Sequence, residues 1–135
     1  MSLLHEIGGY LQGLGLGTIG VNLYYHRLSD AGVPAFATCL FQRPGQAGIV
    51  IHERPGVAYE MPDLGVLVRG ASDQYATAMQ RAQDIHEALA EVVNRSLDGT
   101  WYVAIDPVSP PEDQGLDYHA RPLILARYNV TKEPS

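Results

Sequence analysis

Leu64-Gly65-Val66-Leu67-Val68-Arg69-Gly70 is the stretch on which the fold of this 135-residue chain turns. It is apolar and β-branched, with Met61-Pro62-Asp63 before it and Gly70 closing it, so it reads as a strand with Leu64, Val66 and Val68 on one face. The period then changes. Tyr75, Ala78, Ala82, Ile85, Leu89 and Val92 recur at helical spacing, while Arg81, Asp84, Glu87 and Glu91 take the opposite side. Ser72 or Asp73 is the expected N-cap, and Asp98-Gly99 the expected stop. A strong strand followed by a long amphipathic helix calls for a sheet whose apolar face the helix covers.

Upstream, Ser2 can cap a first helix whose Leu3, Leu4, Ile7, Leu11 and Leu14 form one stripe. Gly8-Gly9 weakens that helix by roughly 1 kcal/mol per glycine, so packing rather than propensity must hold it. Gly13, Gly15 and Gly17 end it. Residues 21–28 and 34–42 are strand candidates, with Asp30 to Gly32 as the turn between them. Residues 43–48 and 54–56 read as loops around the short apolar run Ile49-Val50-Ile51. The whole segment 42–62 is expected to be a long loop, and loops of that length are usually functional or disordered.

Downstream, Trp101-Tyr102-Val103-Ala104-Ile105 alternates as a strand, residues 107–115 form a Pro- and acid-rich loop, and residues 123–130 read as a last strand. Its Ile124, Ala126, Tyr128 and Val130 share a face. The expected architecture is α+β: a mainly antiparallel sheet with the N-terminal and long central helices packed on one face, in a single domain spanning residues 1–135.

Composition narrows the function. A hydrophobic share of 46% with 18% charged residues describes a globular chain. Nine Lys plus Arg against fifteen Asp plus Glu give a formal charge of -6, which works against wrapping a nucleic-acid backbone. An acidic wall does suit a channel through which DNA must slide without sticking. The single cysteine, Cys39, makes no intramolecular disulfide and fits a reducing compartment. No signal peptide or membrane span is visible, so an intracellular, membrane-free protein is expected.

No chemical motif survives its context. Gly15-x-Gly17-x-x-Gly20 matches the dinucleotide fingerprint in letters, but it follows a helix, precedes a strand, and lacks an acidic residue at the ribose-binding distance. A helix-terminating turn is the expectation. The His-Glu pairs at His5, His52 and His86 lack the second histidine of a zinc helix, and His26 and His119 are isolated. Cys39 in an apolar run is expected to be a buried hydrophobe. No catalytic, cofactor-binding or metal residue is assigned. A small enzyme or ligand-binding domain would have to assemble a site from distant residues such as His26, His86 and Asp106. Six of the eight tyrosines, Tyr24, Tyr25, Tyr59, Tyr102, Tyr118 and Tyr128, stand near strand ends or loops, where tyrosine serves either interfaces or a half-buried place in the core.

Several short segments, spread over nearly the whole chain, carry a resemblance. They are Leu3-Leu4-His5-Glu6-Ile7, then residues 16–24 (Leu-Gly-Thr-Ile-Gly-Val-Asn-Leu-Tyr), the strand Val66 to Gly70, Tyr75-Ala76 with Ala78, Leu97-Asp98-Gly99, Arg121-Pro122 and Tyr128-Asn129-Val130. With these the chain resembles the bacteriophage minor capsid family, whose members look like tail terminators or tail-to-head joining proteins. Residues 42–60 depart from the family pattern and are where a partner would be chosen.

The resemblance implies a structural virion protein of the tail or neck, assembled in the host cytoplasm, without enzymatic activity or cofactor. It implies a homo-oligomeric ring, hexameric, that caps the tail-tube protein and meets a head-completion or stopper protein, with DNA only as passing cargo. A head-completion adaptor of the same neck is the neighbouring expectation. The expected partner interface is His52, Glu53, Arg54, Tyr59, Tyr118 and Arg121, and Glu112, Asp113 and Asp117 are among the acidic residues available to a lumen.

Overall fold

The computed structural model describes residues 2–29, 32–42, 49–54 and 57–133. The elements in order are α1 (Leu3–Gly13), β1 (Leu23–Tyr25), β2 (Ala37–Phe41), β3 (Ile49–Arg54), β4 (Val57–Met61), β5 (Asp63–Arg69), α2 (Tyr75–Ala90), β6 (Val93–Leu97), β7 (Thr100–Leu116) and β8 (Pro122–Lys132). The α+β expectation holds.

The sheet is organised around β8. Along one edge β5 pairs with it antiparallel and without a slip, from Asp63 opposite Asn129 to Arg69 opposite Leu123. Glu60 opposite Lys132 keeps the same register, so β4 and β5 make one line against β8, broken only at Pro62, whose carbonyl still accepts from the Val130 N–H. β7 pairs along the other edge of β8. β2 lies beyond β5, and β6 lies beyond β7. Every pairing between these named strands is antiparallel except one.

The exception corrects the expected turn between the first two strands. β1 runs parallel to β2, Leu23 opposite Thr38 and Tyr25 opposite Leu40, and the strands are shorter than residues 21–28 and 34–42. His26, at φ 74, turns the chain out of β1, and the buried Arg69 guanidinium donates to the carbonyls of Pro34 and Ala35 at 2.9 and 3.0 Å, holding the return segment in place. Asp30 and Ala31 of the expected turn lie outside the described residues.

Two expected loops are strands. Within 42–62, β3 and β4 pair antiparallel from Ile49 opposite Met61 to Arg54 opposite Val57, so the β-branched run Ile49-Val50-Ile51 finds a partner. Residues 43–48, and Pro55 and Gly56 between the strands, lie outside the described residues. Within 107–115, β7 continues to Leu116 by shifting register against β8 between Pro107 and Ser109 and again between Ser109 and Glu112. β6 pairs β7 only as far as Ala104, so the later prolines sit where no described strand lies outside β7, and a missing N–H breaks no ladder there.

α2 also ends earlier than expected. It stops at Ala90, and β6 follows. Asp98 (φ 50) and Gly99 (φ 84) then form the two-residue turn of the β6–β7 hairpin, the geometry that Asp-Gly favours. Neither expected cap is used at the start of α2: the Ser72 hydroxyl donates to the His119 carbonyl, Asp73 has φ 63, and Gln74 holds the cap position.

Both helices contribute to one apolar cluster on the same side of the sheet. Leu3, Leu4, Ile7 and Leu11 from α1 join Ala78, Ala82, Ile85 and Leu89 from α2 over Leu64, Val66, Val68, Ile124, Ala126, Tyr128 and Val130. Leu14 is outside the stripe; it is the exposed C-cap of α1. The Gly15 and Leu16 N–H groups donate back to Gln12 and Leu11 at 3.0 Å, with Gly15 at φ 75. That closes a Schellman turn, as expected of the glycine run.

Two of the six tyrosines near strand ends, Tyr102 and Tyr128, are core residues. Tyr128 is fully buried and hydrogen-bonds His86 Nδ1 at 2.8 Å. Tyr102 donates to the buried Glu6 carboxylate at 2.8 Å, and the Thr100 hydroxyl donates to its other oxygen. Glu6 thereby ties α1 to the start of β7.

Tyr102→Phe leaves Glu6 short of one donor and is expected to cost about 1–3 kcal/mol in denaturant unfolding, with little change in m-value. Gly8 and Gly9 should respond oppositely to alanine. The Tyr25 ring covers Gly8, leaving no room for a Cβ, whereas nothing approaches Gly9. Gly9→Ala should therefore raise stability by up to about 1 kcal/mol, and Gly8→Ala should lower it by about 1–3 kcal/mol, in paired thermal melts.

Candidate interaction surfaces

The face of the sheet turned away from the helices carries a groove of about 470 Å³. Register places its floor: Cys39 of β2, Leu67 of β5 and the neighbouring Leu123 of β8 all belong to the set of residues that alternate with the core-facing ones. The Phe41 ring covers Gly65 so closely that a Cβ there would overlap it, and Phe41 closes the floor at one end. Cys39 is buried in that floor, and burial raises its thiol to about 11, which keeps it a protonated hydrophobe.

The walls come from two chain turns. One is the segment after β1, with His26, Arg27 and Leu28. The other joins β7 to β8, with Asp117, Tyr118, His119 and Arg121. Asp117 organises this second turn. One carboxylate oxygen accepts from the His119 and Arg121 N–H groups at 2.9 and 3.0 Å, and the other accepts from Arg121 Nε at 2.7 Å. Burial alone would raise its pKa, but the two backbone donors and the guanidinium outweigh burial and hold it below its ordinary 3.8. Tyr118 stands fully exposed on the rim.

The second surface is the β3–β4 hairpin, which continues the sheet past the end of β5 and reaches β8 through Glu60 and Lys132. Lys132 is buried and places Nζ 3.4 Å from the Glu60 carboxylate and 2.9 Å from the Glu133 carbonyl. β3 ends the strand order on that side, so no described strand pairs with its outer edge.

The six expected interface residues thus fall into two groups. His52, Glu53 and Arg54 lie in β3, with His52 and Glu53 at a register shift; their side chains lie outside the described residues. Tyr59 lies in β4 opposite Ile51 and is half-buried. Tyr118 and Arg121 belong instead to the groove wall, and Arg121 is mostly buried against Asp117. Asp117, one of the acidic residues available to a lumen, is engaged with Arg121. Arg27, Leu28 and Phe41 line the groove but read in the sequence only as parts of strand candidates, with no signal of a surface site.

The assembled-site alternative from His26, His86 and Asp106 is not brought together. His26 lines the groove, whereas His86 bonds Tyr128 on the helix side. Among the described residues no group of three or more His, Cys, Asp or Glu side chains is placed to hold a metal ion. No described helix is long and apolar enough to cross a membrane.

The fold is one found in virions. It matches a chain from the virion of a native gene transfer agent particle with a TM-score of 0.69 at 15% identity, over 98% of this chain and 96% of that one. No curated protein matches the sequence. The family model described as bacteriophage tail terminator protein matches residues 10–134, and the chain belongs to that family. It is a structural component of the phage tail that works in assembly with other virion proteins.

The Asp117 network yields a pH test. A carboxyl depressed in the folded state contributes stability that is fully present above its ordinary pKa and is lost as pH falls through the native value. Asp117→Asn is expected to lower stability by about 1 kcal/mol at pH 7, the scale of a partly exposed ion pair. The gap between wild type and variant should narrow as melts are repeated below pH 3.8.

Proposed function

We propose that this chain is a tail terminator acting by self-assembly: a single-domain subunit of a hexameric ring that sits on the last ring of the tail tube, stops its growth, and offers its other face to a head-completion protein. Genomic DNA passes through the lumen, and the protein uses neither a cofactor nor a catalytic group. The observation that carries this reading is the family match over residues 10–134, supported by a fold shared end to end with a virion chain.

The physics supports it. Identical subunits close into a ring when head-to-tail contacts between two different patches rotate to closure, and the groove and the sheet's strand edges are different patches on one subunit. A formal charge of -6 discourages DNA from adhering to the ring's inner wall. His52, Glu53, Arg54 and Tyr59 on the hairpin, with Tyr118 and Arg121 at the groove, are the residues assigned to partner contact.

Stoichiometric protein added to growing tail tubes of the cognate phage should stop elongation, giving tubes of uniform length by negative-stain imaging. Tubes that lengthen without limit in its presence would rule out capping and leave the adaptor of the neck as the better reading.

A further inference from the structure

The groove on the outer face of the sheet combines three properties that together name an occupant. Its floor is apolar, through Cys39, Phe41, Leu67 and Leu123. Its charged lining is Arg27, Arg69 and Arg121 against one carboxylate, Asp117, in a chain where acids outnumber bases fifteen to nine. Its rim carries the fully exposed Tyr118, the residue type most favoured at protein contacts. An apolar side chain flanked by carboxylates is the complement of such a site.

The same chain carries that complement. Along β7, from Asp106 to Leu116, there is no Lys or Arg, while Asp106, Glu112 and Asp113 are exposed and Val108 is 55% exposed. Pro107, Pro110 and Pro111 sit in this same stretch, where β7 has no described outer neighbour. Prolines at an edge prevent another strand from pairing onto it, so this edge can be used through its side chains and not by extending the sheet.

We propose that the groove of one subunit receives the acidic β7 edge, residues 106–113, of a second copy of this chain, with Val108 entering over the apolar floor and the carboxylates meeting Arg27 on the wall. The inference rests on the ring reading and deepens it by naming both halves of the subunit contact. Groove and β7 edge are different patches, as a closed head-to-tail ring requires. Glu112 and Asp113 then face the neighbouring subunit rather than the lumen.

Two full-length variants test this. The groove variant carries Arg27→Glu and Leu123→Glu; the edge variant carries Val108→Arg and Glu112→Arg, both at exposed positions. Native mass spectrometry and sedimentation velocity follow assembly, with circular dichroism confirming that each variant is folded. Each variant alone should assemble at least about 30-fold more weakly than wild type, the effect of losing a central contact.

An equimolar mixture can pair the intact groove of one variant with the intact edge of the other, and should give a dimer that grows no further. If Leu123→Glu prevents folding, Arg27→Glu alone is used, and pairing it with Glu112→Arg in one chain should recover part of the lost assembly. Wild-type rings together with folded variants that also close rings, or a mixture that forms no dimer, would overturn this contact while leaving the ring intact. Wild-type protein that stays monomeric at every concentration would overturn the ring reading and this contact with it.

Discussion

The ladder between β5 and β8 is the constraint on which the structure depends. Seven consecutive pairings, Asp63–Asn129 to Arg69–Leu123, run without a slip and place Leu64, Val66, Val68, Ile124, Ala126 and Tyr128 on one face. A face that apolar must be covered, and α1 and α2 are the elements that cover it. Because side chains alternate with period two, the same ladder sends Gly65, Leu67, Leu123 and Leu125 to the other side, where no described helix lies over them. One pairing thus creates both a core and an outward face free to meet partners.

The remaining architecture follows from how that ladder is extended. β4 prolongs β5 past Pro62 and carries β3 with it, so the hairpin is an outgrowth of the central strand pair. At the opposite end Arg69 holds the β1–β2 connection through the Pro34 and Ala35 carbonyls, and Asp117 holds the β7–β8 turn through Arg121. These two fastened turns wall the groove. Buried or half-buried ion and carbonyl contacts fasten both turns to the sheet.

What the sequence disclosed was what period and breaker residues encode. The β5 run, both helices, the glycine turn after α1 and the alternating end of β8 were legible because each has a local pattern that its environment does not overrule. The failures share a cause. Prolines 107, 110 and 111 look like a loop because proline weakens a strand on average, yet on an edge with no described outer neighbour and with register shifts that cost is absent. Residues 49–61 look like a loop because Pro and Gly stand on both sides and in the middle, although these mark the ends of two strands rather than the absence of any. Asp98-Gly99 after a helical run reads as a helix stop, but its stronger meaning is a two-residue hairpin. The parallel β1–β2 pairing, the Glu6–Thr100–Tyr102 cluster and the Asp117–Arg121 turn depend on contacts across the fold, or on burial, that no local window contains. The family resemblance supplied the functional class, while the division of the six expected contact residues between hairpin and groove could come only from three dimensions.

The central claim is that the helix-backed ladder is an inert scaffold and that the outward groove, the β7 edge and the hairpin bind neighbours. Amide hydrogen exchange of the isolated subunit, compared with the protein bound to tail tubes, tests it most directly. The account predicts new protection at residues 26–28, 49–61, 106–113 and 117–121, with β5 and β8 unchanged. Protection gained instead over α1 and α2, with those four segments exchanging as they do in the free subunit, would contradict it.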